Sequence, residues 1–81
     1  MYILYIKPGC PFCEKVLSVV NELGLVVELK SVLDPEVKEE LIAHGGKKQV
    51  PYLIDTKRDV AMYESDAIIS YFETHADAPA Q

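Results

Sequence analysis

The chain has 81 residues, of which 49% are apolar and 26% are charged, and this is the composition of one small globular domain. We therefore expect a single domain over residues 1–81, with 76–81 as a loosely held tail. The formal net charge of −5 disfavours nucleic acid as a partner, since nucleic acid selects basic surfaces. No apolar run approaches the roughly 20 residues that cross a bilayer, so we expect no membrane association.

The first part of the chain predicts a strand–helix–strand unit. Residues 2–6 are apolar and β-prone, and the breaker sequence at 7–9 ends this strand. Apolar residues then recur at helical spacing from Pro11 to Leu23, and Gly24 ends the helix. Residues 26–30 form the next predicted strand, which a right-handed crossover places parallel to the first.

A second helix is predicted to begin at Asp34 and Pro35, because Asp is a favourable N-cap and Pro fits the first helical position. The pair of glycines at 45–46 ends this helix. Its inner stripe is predicted to comprise Val37, Leu41 and His44.

The last part of the chain predicts a hairpin and a final helix. Residues 52–54 and 60–62 are short β-prone runs, and the polar turn between them indicates antiparallel pairing. Ser65 is the predicted N-cap of the last helix. The inner face of that helix is predicted to consist of Ala67, Ile68, Tyr71 and Phe72. The order βαβαββα, with a mixed four-stranded sheet and helices on both faces, is a thioredoxin-like α/β fold.

The two cysteines of the chain lie in the run Cys10-Pro11-Phe12-Cys13, between the first predicted strand and the first helix. A C-x-x-C pair in a βαβ context is typical of a dithiol redox site, and its spacing puts both sulfurs on one helix face. Cys10 lies at the helix N-terminus, where unpaired N–H groups and the positive end of the helix dipole favour a thiolate. Cys10 is therefore the predicted nucleophile, and Cys13, one turn deeper, the resolving thiol.

Two structural interpretations compete with this redox site. A zinc half-site would need two further ligands, and the remaining candidates, His44 and His75, each stand alone in the sequence. A structural disulfide would close too short a ring to restrict much of the unfolded chain. We therefore predict no metal site.

An isolated C-x-x-C suits a reducing compartment, and Met1 leads into a strand without a basic start or cleavage site, so we expect no signal peptide and a cytoplasmic protein.

Three segments carry a resemblance that extends over nearly the whole chain. They are Lys7-Pro8-Gly9-Cys10-Pro11-Phe12-Cys13, then Gln49-Val50-Pro51, then Glu64-Ser65-Asp66-Ala67-Ile68. With the element order, they make the chain resemble a glutaredoxin. The second and third are also similar to the N-terminal domain of glutathione transferases and to bacterial glutaredoxins of transferase-like build. The Gly-Gly-Cys-Asp-Asp segment of many single-domain glutaredoxins is absent from this sequence. The resemblance implies the same ligand in either case, because that segment and the Glu-Ser-Asp-Ala-Ile type of segment both hold glutathione.

The resemblance implies a glutathione site beside the cysteines. It implies a cis peptide bond before Pro51, with the backbone of Val50 pairing with the extended tripeptide; the alternative is a proline that simply begins an edge strand. The first turn of the last helix, with Ser65, is expected to bind the γ-glutamyl carboxylate through N–H donors. Asp66 is expected to pair with the γ-glutamyl ammonium, and Glu64 is an alternative partner for it.

Four further residues have roles that the resemblance implies. Lys7 is expected to support the thiolate and to pair with a glutathione carboxylate, the alternative being a solvated charge. Phe12 is expected to form an apolar rim beside the thiol instead of packing in the core. Gln49 and Lys48 are expected to reach the cysteinyl or glycyl part of glutathione.

The implied activity is that of a dithiol glutaredoxin, which reduces protein disulfides and glutathione mixed disulfides. The expected protein is a monomer with no tightly bound cofactor. Its expected partners are glutathione, as co-substrate, and proteins that are glutathionylated or contain disulfides. Two other functions stay open. One is a non-catalytic glutathione-binding module resembling a transferase N-terminal domain, and the other is a dimer that holds an iron–sulfur cluster between its Cys10 thiolates.

Overall fold

The computed structural model describes residues 2–75, and its helices and strands follow the predicted order. The predicted tail, 76–81, lies outside the described residues. The strands are β1 (Tyr2–Ile6), β2 (Val27–Ser31), β3 (Tyr52–Asp55) and β4 (Val60–Tyr63), and the helices are α1 (Pro11–Leu23), α2 (Pro35–Gly45) and α3 (Ser65–His75). The predicted bounds of β2, β3 and β4 differ from the observed ones by a single residue.

The four strands form one mixed sheet in the order β2-β1-β3-β4. β1 is parallel to β2 and antiparallel to β3, and β3 and β4 form the predicted antiparallel hairpin. This arrangement is the thioredoxin-like fold that the sequence predicts. Because Tyr5, near the end of β1, pairs with Tyr52 at the start of β3, the segments around Cys10 and Pro51 follow and precede these two central strands at the same end of the sheet.

Alternation along the strands sends side chains into two cores. Leu4 and Leu53 point to the face that α1 and α3 cover, and Tyr5 and Tyr52 point to the face that α2 covers. The first core also contains the buried residues Ile6, Cys13, Val16, Ile68, Tyr71 and Phe72. Within residues 2–75, no helix has the length and apolar character needed to cross a membrane.

Both predicted helix starts around the prolines are confirmed. Pro11 occupies the first turn of α1, and Gly24 closes that helix in a left-handed conformation with φ of 66°. The Asp34 carboxylate accepts a hydrogen bond from the Glu36 N–H at 2.9 Å, so Asp34 is the N-cap of α2. These ends follow from local chemistry, which is why the sequence predicts them.

Two residues assigned to inner helix faces are exposed. His44 lies in the last turn of α2, and that helix buries Leu41 instead. Ala67 is exposed because it lies about 100° around the helix from Ile68, the centre of the buried stripe of α3. Both assignments were wrong, and the buried faces are narrower than the sequence pattern indicates.

Polar contacts tie each layer to the sheet. On the α2 face, Glu40 Oε1 accepts hydrogen bonds from the Tyr5 hydroxyl at 2.6 Å and from Lys30 Nζ at 2.7 Å. On the other face, the buried Asp55 accepts from the Tyr71 hydroxyl at 2.6 Å and from Arg58 Nη1 at 3.1 Å. Asp55, the last residue of β3, thereby joins the hairpin turn to α3.

Candidate functional site

Cys10 and Cys13 lie at the start of α1 and differ in depth. Cys10 is the N-cap residue, and its carbonyl accepts from the Glu14 N–H at 3.0 Å. It is half-buried, whereas Cys13 is 1% exposed. The Lys7 backbone N–H donates to Cys13 Sγ at 3.5 Å. The predicted difference in depth between the two sulfurs is therefore present.

The two thiols also differ in acidity. The pKa of the Cys10 thiol is lowered, chiefly by a hydrogen bond from the backbone N–H of Cys13. The Cys13 thiol, the Phe12 N–H and the charge of Lys7 lower this pKa further, and desolvation opposes them. Burial raises the pKa of Cys13 to about 11, although the Lys7 N–H acts in the opposite direction. Cys10 is therefore the sulfur that is more readily a thiolate.

A cleft of about 290 Å³ opens beside this helix start. Its lining residues are Phe12 from α1, Gln49, Val50 and Pro51 ahead of β3, and Glu64, Ser65 and Asp66 at the start of α3. Each of these was predicted from the sequence as a glutathione contact, and the fold brings them together from three separate segments. Phe12 is 59% exposed, as expected for a rim residue. Lys7 and Lys48 are exposed residues outside this lining.

The peptide bond between Val50 and Pro51 is cis, as predicted. Pro51 is buried directly ahead of β3. Val50 is half-buried and packs against both cores of the domain. Val50 thus connects the lining of the cleft to the cores on both faces of the sheet.

The start of α3 differs from the prediction by one residue. Ser65 is the first helical residue, and the Glu64 carbonyl accepts from the Ile68 N–H at 3.0 Å, so Glu64 occupies the N-cap position. Glu64 has a positive φ of 79°, a conformation uncommon outside glycine. The Glu64 side chain accepts a hydrogen bond from Gln49 Nε2 at 3.4 Å, and both residues line the cleft.

Lys15 and Tyr63 contact predicted site residues or their loop and were not anticipated. Lys15 Nζ lies 3.1 Å from Asp66 Oδ1. The Tyr63 hydroxyl hydrogen-bonds to the backbone of Lys47, in the loop that carries Gln49. Neither contact leaves a local signal in the sequence, because the partners are 51 and 16 residues apart.

Within the described part of the chain, no group of three or more His, Cys, Asp or Glu residues could hold a metal ion. The His75 ring stacks on Tyr71 with 4.3 Å between ring centroids, and the Nδ1 of His75 lies 3.3 Å from the Tyr71 carbonyl oxygen. This histidine therefore has a packing role at the end of α3.

Comparison with protein families identifies the domain. The family model of the glutathione S-transferase N-terminal domain matches residues 4–80. The chain belongs to this family. The resemblance to the transferase N-terminal domain that the motifs indicate is therefore confirmed over nearly the full sequence. No curated protein sequence matches the chain.

Solved structures of glutathione transferases share the fold of this transferase N-domain. A glutathione S-transferase from the Antarctic clam Laternula elliptica is 32% identical, with a TM-score of 0.80 over 96% of this chain and 36% of that chain. Glutathione transferase URE2P8 from Phanerochaete chrysosporium, solved with oxidized glutathione, is 27% identical, with a TM-score of 0.76 over 95% and 36% of the two chains. Glutathione transferase Omega 3C from Trametes versicolor, at 24% identity and a TM-score of 0.82 over 96% and 34%, supports the fold. The chain spans about a third of the length of these transferases.

Proposed function

We propose that this domain is a glutathione-dependent thiol–disulfide oxidoreductase of the dithiol type. The observation that carries the proposal is the contrast between two thiols one helical turn apart. Cys10 is accessible and has a lowered pKa, whereas Cys13 is buried with a pKa of about 11. A pair that only supported packing would need neither an accessible sulfur nor an acidic one.

The proposed reaction begins when the Cys10 thiolate attacks one sulfur of a protein–glutathione disulfide. The S–S bond breaks, the protein thiolate leaves and takes a proton from solvent, and Cys10 holds glutathione in a mixed disulfide. A second glutathione thiolate then attacks this mixed disulfide and releases oxidised glutathione and the Cys10 thiolate. One free glutathione is consumed in each cycle, and the disulfide bond passes from the protein sulfur to oxidised glutathione, whose other half comes from the substrate.

Protein disulfides take the dithiol route. After Cys10 forms a mixed disulfide with the substrate, Cys13 loses its proton to the departing thiolate and attacks the Cys10 sulfur. The substrate leaves as a dithiol, and the Cys10–Cys13 disulfide is reduced by two glutathione molecules. The high pKa of Cys13 keeps it protonated until this step, so the resting enzyme carries one reactive thiolate.

The cleft has the chemistry that glutathione requires. The N-terminus of α3 offers backbone N–H donors to the γ-glutamyl carboxylate, and the carboxylates of Glu64 and Asp66 suit the adjacent ammonium. Val50 and Phe12 line the same cleft, and in this proposal the Val50 backbone pairs with the peptide unit of glutathione while the Phe12 ring forms an apolar rim. URE2P8, which is 27% identical to this chain over the part that aligns, was solved with oxidized glutathione. We extend the proposal to a monomer in the cytoplasm that acts on glutathionylated proteins.

Family membership favours a second candidate function. The match is to the N-terminal domain of transferases, and the chain spans only about a third of the transferase chains. A glutathione-binding module without turnover would account for this match equally well. Such a module has no use for two thiols of different acidity, which is why we rank it second.

One assay separates the two candidates. The purified protein is incubated with a glutathionylated peptide, glutathione, glutathione reductase and NADPH, and NADPH oxidation is followed. Turnover that depends on Cys10 supports the oxidoreductase. Calorimetric binding of glutathione without turnover supports the binding module. The absence of both turnover and binding would contradict both candidate functions.

A further inference from the structure

The loop between α2 and β3 is held by one side chain from β4. The Tyr63 hydroxyl donates to the Lys47 carbonyl oxygen at 2.8 Å and accepts from the Lys47 N–H at 3.2 Å. Both backbone groups of one loop residue are therefore satisfied by a single hydroxyl. The Lys47 ammonium also lies over the Tyr63 ring, 5.7 Å from its centroid.

A glycine makes this contact possible. A Cβ atom on Gly45 would overlap the Tyr63 hydroxyl oxygen and would lie 2.7 Å from Cζ, closer than unbonded carbon atoms approach. Gly45 is the last residue of α2, and the chain turns at Gly46, which has a φ of 81°. The absence of a side chain at Gly45 therefore gives Tyr63 room to reach the loop.

The loop so held is the one that supplies the cleft. Gln49 lies two residues beyond Lys47, and its Nε2 donates to Glu64, the neighbour of Tyr63 in sequence. Tyr63 and Glu64 thus contact alternate residues of the loop. The Tyr63 ring itself packs on Tyr52 with 4.4 Å between ring centroids, and the two residues pair across β3 and β4. Tyr63 is fixed at its ring and holds the loop with its hydroxyl.

We propose that Tyr63 is a positioning residue for glutathione, which it serves by fixing the loop that presents Gln49 and the Val50 backbone to the cleft. This inference rests on the proposed function, because it names glutathione as the ligand. In this proposal Tyr63 takes no part in the thiol–disulfide exchange at Cys10. Its hydroxyl should therefore affect the concentration dependence of the reaction and leave the reactivity of Cys10 unchanged.

The test compares Tyr63→Phe with Tyr71→Phe in the full chain. Each variant loses one tyrosine hydroxyl, but the Tyr71 hydroxyl bonds to Asp55 at the opposite end of β3 from the cleft. We expect Tyr63→Phe to raise the KM for a glutathionylated peptide about fivefold, which corresponds to ~1 kcal/mol. The rate of Cys10 alkylation by iodoacetamide, a neutral reagent, should match that of the wild type. Tyr71→Phe should lower the melting temperature and keep the wild-type KM.

Gly45→Ala provides a second and independent variant. Its new methyl group should displace the Tyr63 hydroxyl and raise KM in the same way. Because both changes break one contact, the double variant should show less than the product of the two single effects. A wild-type KM in Tyr63→Phe and Gly45→Ala, with turnover intact, would overturn the positioning role alone. A wild-type protein that does not use the glutathionylated peptide would overturn the proposed function, and this inference with it.

Discussion

Lys15 Nζ lies 3.1 Å from Asp66 Oδ1, so an ion pair joins the second turn of α1 to the first turn of α3 at the edge of the cleft. The Asp66 side chain remains 88% exposed and that of Lys15 is 56% exposed. Exposed ion pairs of this kind contribute little to stability, typically about 0–1 kcal/mol. Asp66 is therefore accessible to a ligand, which would share or displace the Lys15 ammonium.

The first prediction concerns this carboxylate. Asp66→Ala should slow turnover of a glutathionylated peptide about tenfold, because the γ-glutamyl ammonium loses a charge-assisted partner worth roughly 1.5–3 kcal/mol. Cys10 alkylation by a neutral reagent should be unaffected. Lys15→Gln, the matched control on the other side of the ion pair, should lower KM modestly because it removes a competitor for Asp66. A loss of turnover in Lys15→Gln as large as that of Asp66→Ala would show that Lys15 itself contacts glutathione.

The second prediction separates the two sulfurs. Cys10→Ser should abolish all thiol–disulfide activity. Cys13→Ser should retain deglutathionylation, which needs one thiol, and lose the reduction of protein disulfides, which needs two. The two activities are measured on a glutathionylated peptide and on a disulfide-bonded protein. Equal inactivity of both variants on the glutathionylated peptide would contradict the assignment of Cys10 as the nucleophile.

The third prediction concerns the acidity of Cys10. Its alkylation rate plotted against pH should have a midpoint below about 8.5, the value for free cysteine. Cys13→Ala should raise this midpoint more than Lys7→Gln does, because the Cys13 thiol lowers the pKa of Cys10 more than the charge of Lys7 does. Neither variant should reach the free value, since the backbone N–H of residue 13, the largest cause, remains. A midpoint at the free value in the wild type would remove the case for an activated nucleophile.

The fourth prediction concerns stability and pH. Burial alone would raise the pKa of Asp55, but hydrogen bonds from Tyr71, Arg58 and the Lys57 N–H lower it overall. A carboxyl with a lowered pKa in the folded state stabilises the fold above its unfolded pKa of about 3.9. That contribution is lost as the pH falls through the folded value. Asp55→Asn should therefore cost about 2 kcal/mol in urea unfolding at pH 7, and the difference from the wild type should shrink below pH 4.

Asp59→Asn is the matched control for this experiment. It makes the same change of charge at an exposed position of the same hairpin turn, where a φ of 56° suits asparagine. We expect the free energy of unfolding of this variant to stay within about 0.5 kcal/mol of the wild type at every pH. If Asp59→Asn lowered the free energy of unfolding as much as Asp55→Asn does, the effect would come from net charge and not from the hydrogen bonds of Asp55 with Tyr71 and Arg58.

Most of the fold could be predicted because its signals are local. The helix start at Pro11, the cap at Asp34 and the end at Gly24 each depend on residues within one turn. The exposed His44 shows the limit of such reasoning. Its angular position matches that of Val37 and Leu41, and only the three-dimensional structure shows that the last turn of α2 leaves it exposed.

The candidate site divides in the same way. Its lining could be predicted because three motifs mark it, and the cleft contains residues from all of them. Lys15 and Tyr63 could not, because each acts on a distant segment and neither stands in a recognisable motif. Tyr63 also lies one residue beyond the predicted end of its strand at residue 62, so the alternation of side chains along that strand could not predict which face Tyr63 occupies.

β3 has four residues, and tyrosine hydroxyls from other elements secure the chain ahead of it, at Lys47, and at its far end, at Asp55. Removing or adding one residue inside β3 would turn every later side chain of the strand to the opposite face and would carry Asp55 away from Tyr71. The length of this strand is therefore fixed by two anchors as well as by the sheet. Insertions and deletions in natural relatives should collect instead in the connection between α1 and β2, where Val26 is 80% exposed.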